Sequence, residues 1–176
     1  MGKILITGTG RAGTSFLVQL LTNLGEDTGF PKGVKLSDKC NAGLEHRENS
    51  KHRVIKNPEF ALRIPDINKK IDIEHVLIPL RDITKASLSR AAIGKGDGGL
   101  WNASDLTEQE EFNRKLVCKL LHDCVRLGIE HTFIDFEGMM KDSDYLFHCL
   151  YKHFSFTEEE FKACYYSLID YKKIHF

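Results

Sequence analysis

Between Ile4 and Leu21 the chain runs ILITGTGRAGTSFLVQLL: an apolar strand-like run, a turn rich in glycine, then the apolar periodicity of a helix. Glycines at 8, 10 and 13 let a backbone come close to a ligand, and Thr14 and Ser15 supply hydroxyls where the helix would begin. The first N–H groups of a helix have no partner within it, and the helix dipole turns its positive end toward them. Such a segment binds an anionic group. A merely tight strand-to-helix turn is the alternative, and the two hydroxyls weigh against it.

Two fingerprints overlap in this loop. Gly8, Gly10 and Gly13 fit the dinucleotide pattern G-x-G-x-x-G, which wants an acid at the end of a second strand roughly 20 residues on. That region is GEDTGFPKGVKLSDK, poor in strand formers, and Asp38, its plausible acid, has lysines around it. A nucleotide-hydrolase loop would place lysine at position 14 and a metal-binding aspartate after an apolar strand. Position 14 is threonine, and the run ending at Leu80 is followed by Arg81, with Asp82 only next. Neither pattern is complete.

The elements that must hold the loop are legible. Lys3–Thr7, Arg53–Lys56, His75–Leu80 and His131–Phe136 are short apolar runs without clear alternation, as strands covered on both faces are. Thr14–Leu24 carries Phe16, Leu17, Leu20, Leu21 and Leu24 on one helical face, with Gly25 as C-cap. Glu108–Leu127 repeats Phe112, Leu116, Leu120 and Cys124, with Thr107 and Glu110 as an expected capping box. Thr157 and Glu160 make another, opening a helix expected to reach about Asp170. Alternating strands and helices indicate one domain over residues 1–176, a three-layer α/β/α fold around a mainly parallel sheet. Glu26–Lys51 and Ile93–Ser104 are long polar or glycine-rich excursions, the kind of loop that carries function.

Composition narrows the class. No apolar run approaches the roughly 20 residues of a membrane helix, and the chain enters a strand at Lys3, so neither a membrane span nor a signal peptide is expected. Five cysteines without a C-x-x-C pair point to a reducing, cytoplasmic setting rather than disulfides or structural zinc. The net charge of zero divides into 16 Lys/Arg against 11 Asp/Glu over residues 1–100, and 9 against 14 after them. That asymmetry suits a small anionic ligand better than a nucleic-acid track.

The segment VLIPLRDITKASLSR puts Arg81 at a strand end and Ser89 eight residues later, in the next helix. Together with GTGRAGTSFL it resembles the sulfotransferases that use 3′-phosphoadenosine 5′-phosphosulfate (PAPS). Their loop has the form G-x-x-[RK]-[SAG]-G-T-[ST], matched here by Gly8 through Gly10, Arg11, Ala12, Gly13, Thr14 and Ser15. The resemblance implies a P-loop type α/β fold and a 5′-phosphosulfate cradled by Gly10–Ser15, with Arg81 and Ser89 gripping the 3′-phosphate. LLTNLGEDTGF, VIKNPEF with Lys56, Asn57 and Pro58, and TFIDFEGMMKDSDYLFHCLYKHFSF extend the likeness. The arginine–lysine–glycine segment of cytosolic animal members is missing.

Sulfuryl transfer, like phosphoryl transfer, rests on positioning and electrostatics. Arg11 is placed to meet charge growing on the leaving oxygen, and no metal is expected. A general base for the acceptor hydroxyl is sought in NAGLEHRENSKHR, where Glu45, His46 and Glu48 are candidates against a solvated polar loop. "GLE" matches the family at Glu45. Cys118 and His122 share a helix face and are assigned to packing in an apolar stripe rather than to metal, and Lys69–Lys70 to a wet helix end. Trp101 is open between stacking on a ligand and anchoring its loop. The expected activity is transfer from PAPS to a hydroxyl of a saccharide or other small acceptor, releasing adenosine 3′,5′-bisphosphate. A P-loop kinase using ATP, or a non-catalytic adenosine-phosphate-binding domain, are the alternatives.

Overall fold

A computed structural model describes residues 2–36, 43–93 and 99–169. Asp38, Cys40, the glycines at 94, 96 and 98, and Asp170 lie outside these. Four strands, β1 (Lys3–Ile6), β2 (Val54–Lys56), β3 (Ile73–Leu80) and β4 (His131–Asp135), form one sheet in the order β2-β1-β3-β4, every pair parallel. The expected runs match to within one or two residues at each end. Their residues are apolar on consecutive positions because helices cover both faces.

Helix α1 (Thr14–Leu24) follows β1, a 3-10 turn at Pro58–Leu62 and α2 (Ile64–Asn68) follow β2, and α3 (Ile83–Ala91) and α4 (Leu106–Leu127) follow β3. After β4 come α5 (Phe136–Lys141), α6 (Ser143–Leu150) and α7 (Glu158–Leu168). Ile4, Ile6, Val54, Leu77 and Ile134 pack toward α1, α5, α6 and α7, where Leu17, Leu20, Met139, Leu146 and Phe161 are fully buried. Leu5, Ile55, Val76 and Ile78 face the other way, onto Ile64, Ile67, Leu116, Leu120 and Cys124. Two cores on either side of one sheet make the three-layer α/β/α fold.

The helix ends hold one correction. Gly25 closes α1 in the left-handed region, and Thr157 with Glu160 forms the expected box. The box at Thr107 and Glu110 does not form. Helix α4 starts at Leu106, with Asp105 accepting from the Glu108 amide while Glu108 reaches back to Ser104. A carboxylate at the N-cap meets the helix dipole with a full charge, which the Thr107 hydroxyl lacks. Cys118 and His122 are exposed rather than part of the apolar stripe, because they lie two residues, about 200°, from Leu116 and Leu120. Lys70, at the end of α2, is exposed as expected and pairs with Glu48.

Near the N-terminal ends of the strands, the ring of His75 stacks on His153 with centroids 3.8 Å apart, and its Nε2 meets the Thr132 hydroxyl. Burial, then the neighbouring His153 and His131, pushes the His75 pKa down to about 4. The fold therefore accepts the neutral ring, and the unfolded chain protonates first as pH falls through its ordinary value near 6.5. Stability contributed by His75 is full above that value and is lost progressively as pH falls toward 4. Chemical denaturation at pH 7.5 and pH 5 should show the wild type losing on the order of 2 kcal/mol through this group. His75→Gln should flatten that slope, and equal slopes would remove His75 as its source.

Candidate functional site

The chain leaves β1 toward β2 on one side and leaves β3 toward β4 on the other, so the strand order reverses between β1 and β3. A parallel sheet opens a crevice at such a point, beyond the C-terminal ends of the strands. The loop Thr7–Gly13 leaves β1 there, and Arg81 follows β3.

Three positions of the loop have left-handed backbone, two of them glycines. Gly10, Arg11 and Gly13 have φ of +69°, +56° and +85°, and Arg11 holds this left-handed conformation despite its side chain. At Gly13 a Cβ would lie 2.2 Å from Met139 Cε, so a side chain there would have to displace the end of Met139 as well as hold a left-handed φ. Gly13 is also the N-cap of α1 and brings no side chain to cap it.

Four of the loop carbonyls are held. Thr9 O accepts from Arg90, Gly10 O from the Thr9 hydroxyl at 3.1 Å, Arg11 O from Arg81 Nη1 at 3.3 Å and Gly13 O from the Leu17 amide. Among the described residues, none of these carbonyl contacts has a counterpart at the amides of Gly10, Ala12, Gly13, Thr14 and Ser15. Because a peptide plane points its C=O and N–H opposite ways, tying the carbonyls on one side presents the amides on the other. A row of donors of this kind at a helix N-terminus is a geometry that can hold an anion.

Cations converge on this row from three elements. Lys56 is the third residue of β2. Val54 faces the α1 core and Ile55 the other, so alternation returns Lys56 to the α1 side, in register with Ile6 at the end of β1. Its side chain is 1% exposed, and its ammonium donates to Ser15 Oγ at 3.1 Å, Gly43 O at 2.8 Å and Glu45 Oε1 at 2.6 Å. Arg11 Nε donates to Ser89 Oγ at 3.1 Å, and Arg81 lies over the Phe136 ring at 4.7 Å. Burial first, then the charge of Arg11, lowers the pKa of Arg81, and the same causes bring Arg90 down to about 10. Like charges gathered this closely favour an anion among them.

The sequence-derived candidates sort unequally. Arg11, Arg81 and Ser89, expected at opposite ends of a nucleotide, are directly linked. Glu45 lies beside the amide row through Lys56, its side chain 44% exposed. His46 is a strut: its Nδ1 accepts from the Lys56 amide at 3.0 Å, so Nε2 carries the proton and donates to Thr28 O at 2.8 Å. Burial lowers its pKa, which keeps the ring neutral. Glu48 is held by Arg63 and Lys70 at either end of α2. Trp101 anchors its loop, edge-on to Phe112 at 5.0 Å and under the Arg90 guanidinium at 5.1 Å. Lys56 and Arg90 carried no sequence signal of their role beyond position: one at the end of a strand, the other next to Ser89.

Beside Arg81 a cavity of about 470 Å³ opens between the ends of β3 and β4, lined by Leu80, Arg81, Asp82, Ile83, Val117, Phe133, Asp135 and Tyr145. Its size is that of a small-ligand site. Asp82 and Asp135 each cap the helix that follows, accepting from the Lys85 and Gly138 amides. No cluster of three or more potential metal ligands occurs among the described residues, and no helix there is long and apolar enough to cross a membrane.

Comparison with protein-family models, with curated proteins and with solved structures finds no match to this chain. What the site can do rests on its own geometry. Removing the two partners of the Lys56–Glu45 pair should have unequal effects. Lys56→Met leaves Glu45 half in water and Gly43 O still bonded by Ser15, so stability should change by less than about 1 kcal/mol. Glu45→Ala removes a counter-charge from a buried ammonium and should cost about 3 kcal/mol, partly recovered by added sulfate. Thermal melts of both variants with and without sulfate test this, and equal losses without sulfate rescue would show that no anion site adjoins Lys56.

Proposed function

We propose that the chain binds PAPS across the β1–β3 crevice and transfers its sulfuryl group to a hydroxyl of a saccharide or other small acceptor. The observation that carries this reading is the contiguity of two anion-holding places: the amide row closed by Lys56, and beside it the Arg11–Ser89–Arg81 cluster. A nucleotide with an anionic group at each end of its ribose fits both. Uncapped amides at the start of α1 suit a phosphosulfate, and the cavity beyond Arg81, with Phe133 and Tyr145 on its wall, suits the nucleoside.

In this reading each residue has a separable task. The amides of Gly10 and Ala12–Ser15 and the Ser15 hydroxyl orient the diphosphate-like end. Lys56, a compact ammonium shielded from water, neutralises charge as it grows on the leaving oxygen. Arg11 and Arg81 with Ser89 grip the phosphate at the other end, where the fork of a guanidinium spans two oxygens. Glu45 receives the proton of the acceptor hydroxyl on the exposed side of Lys56. Bound there, PAPS supplies the sulfuryl group, whose bond to the phosphate oxygen breaks as the bond to the acceptor oxygen forms.

Calorimetric titration without divalent metal should show adenosine 3′,5′-bisphosphate binding roughly ten- to a hundredfold more tightly than AMP, the range of one or two charge-assisted contacts. Equal affinities would remove the second anion site and with it this reading. Two variants then divide the labour. Arg11→Ala should lose most of the preference for the bisphosphate. Lys56→Met should lower turnover with a PAPS donor by more than tenfold, well beyond its effect on bisphosphate affinity, as an interaction strongest in the transition state requires. Proportional losses in both variants would assign Lys56 to binding alone.

A further inference from the structure

An amide row works only if each peptide faces the right way, and at Thr9–Gly10 the loop has no means of its own to decide. Gly10 sits at φ +69°, where glycine tolerates large rotations of the preceding peptide. Turned over, the same peptide would aim a carbonyl dipole at the anion. We infer that Arg90 is the positioning residue that fixes this peptide with its amide inward; the inference rests on the anion-binding reading of the loop.

Arg90 is 7% exposed and is not placed to touch a bound anion itself. Its Nε and Nη2 converge on Thr9 O at 3.3 and 3.0 Å, and Nη1 donates to Gly99 O at 2.9 Å. Its Cζ lies over the Trp101 ring, 5.1 Å from the centroid. Trp101 is fixed in turn, because its backbone N–H donates to Gln109 Oε1 at 2.6 Å. Gln109 donates to Asn113 and Asn113 to Ser87 Oγ, a chain of three fully buried polar side chains that ties α4 back to α3. Buried and mutually bonded, such a chain resists displacement. The Gly10 position is shaped to the same guanidinium: a Cβ there would lie 2.3 Å from Arg90 Nη2. With Thr9 O held outward by two donors, planarity turns the Gly10 N–H into the loop. Lysine would keep the charge but lose the fork that places two donors on Thr9 O.

The test compares wild type, Arg90→Lys and Arg90→Met in the full chain, by 15N relaxation of the Gly10 and Arg11 amides and by titration with adenosine 3′,5′-bisphosphate. In the free wild type these amides should be as ordered as those of α1. In Arg90→Met they should be broadened by exchange, with affinity lowered roughly tenfold or more, and Arg90→Lys should fall between. Amides equally ordered in all three proteins, or Arg90→Lys binding as the wild type does, would overturn the inference. A wild type that binds no bisphosphate counts against the sulfuryl-transfer reading only, since the amide dynamics of the free proteins still decide the role of Arg90. If Arg90→Met does not fold, Trp101→Leu removes the platform under the guanidinium. The same amide comparison then applies, and unchanged order would again overturn the inference.

Discussion

A backbone that offers its N–H groups to a ligand must dispose of its carbonyls elsewhere, and that requirement organises the structure around the loop after β1. Buried carbonyls need donors of their own. Here they come from a hydroxyl within the loop, from Arg81 beyond β3, from Arg90 on α3 and from the second turn of α1. Three separate parts of the chain are thereby committed to one side of seven residues. The parallel sheet makes this possible because β1 lies between β2 and β3, so the residues after both neighbours arrive at its end.

The same convergence gathers positive charge that the fold would otherwise avoid. Burial, and then the charge of Arg11, depresses the pKa of both Arg81 and Arg90, and Lys56 is shut away under α1. The protein lowers the resulting repulsion in different ways. Arg81 and Arg90 spread their charge over the faces of Phe136 and Trp101, a contact guanidinium makes readily. Lys56 has a carboxylate partner in Glu45. Asp82 and Glu137 offset part of the effect on Arg81. A cationic surface patch would need none of these devices, since water screens it. Their presence is intelligible if the cluster is kept charged and partly dry for an anion.

Much of this was legible in the sequence, and the reason differs by level. The four strands were visible because strands covered on both faces lack a regular polar alternation, and the loop was visible because glycine is favoured where φ turns positive, even though Arg11 adopts it too. Arg81 and Ser89 were singled out by their likeness to a family motif, and the structure links both to Arg11. The role of Lys56 was not, since it depends on the register that sets β2 beside β1, a fact of tertiary pairing. Arg90 was hidden next to a more conspicuous serine: one further residue around α3 turns its side chain from the crevice to the underside of the loop. The start of α4 was misjudged because two cap patterns overlap there, and a threonine box is weaker than an aspartate N-cap followed by Glu108. His46 had the chemistry of a base, but chemistry does not reveal that both ring nitrogens are taken by backbone groups.

That last point bears on how the acceptor side is built. Residues 43–46 have no regular structure, yet they are pinned along β2: the His46 amide bonds Lys56 O, the His46 ring bonds Lys56 N and Thr28 O, and Asn57 Nδ2 donates to His46 O. Phe30 packs edge-on against the same ring. A neutral imidazole used in this way is rigid, because it satisfies one donor and one acceptor that are themselves buried. Its neighbour Glu45 inherits that rigidity at the backbone while its carboxylate stays half-exposed above Lys56. Leu44, with φ of +65°, turns the chain between Gly43 and Glu45 and packs its side chain against the α1 core. A carboxylate meant only to neutralise a buried lysine could come from any flexible loop. In the proposed reading, the carboxylate that takes the acceptor's proton is this one, held at the backbone beside the amide row, and the strut next to it is what makes its position definite.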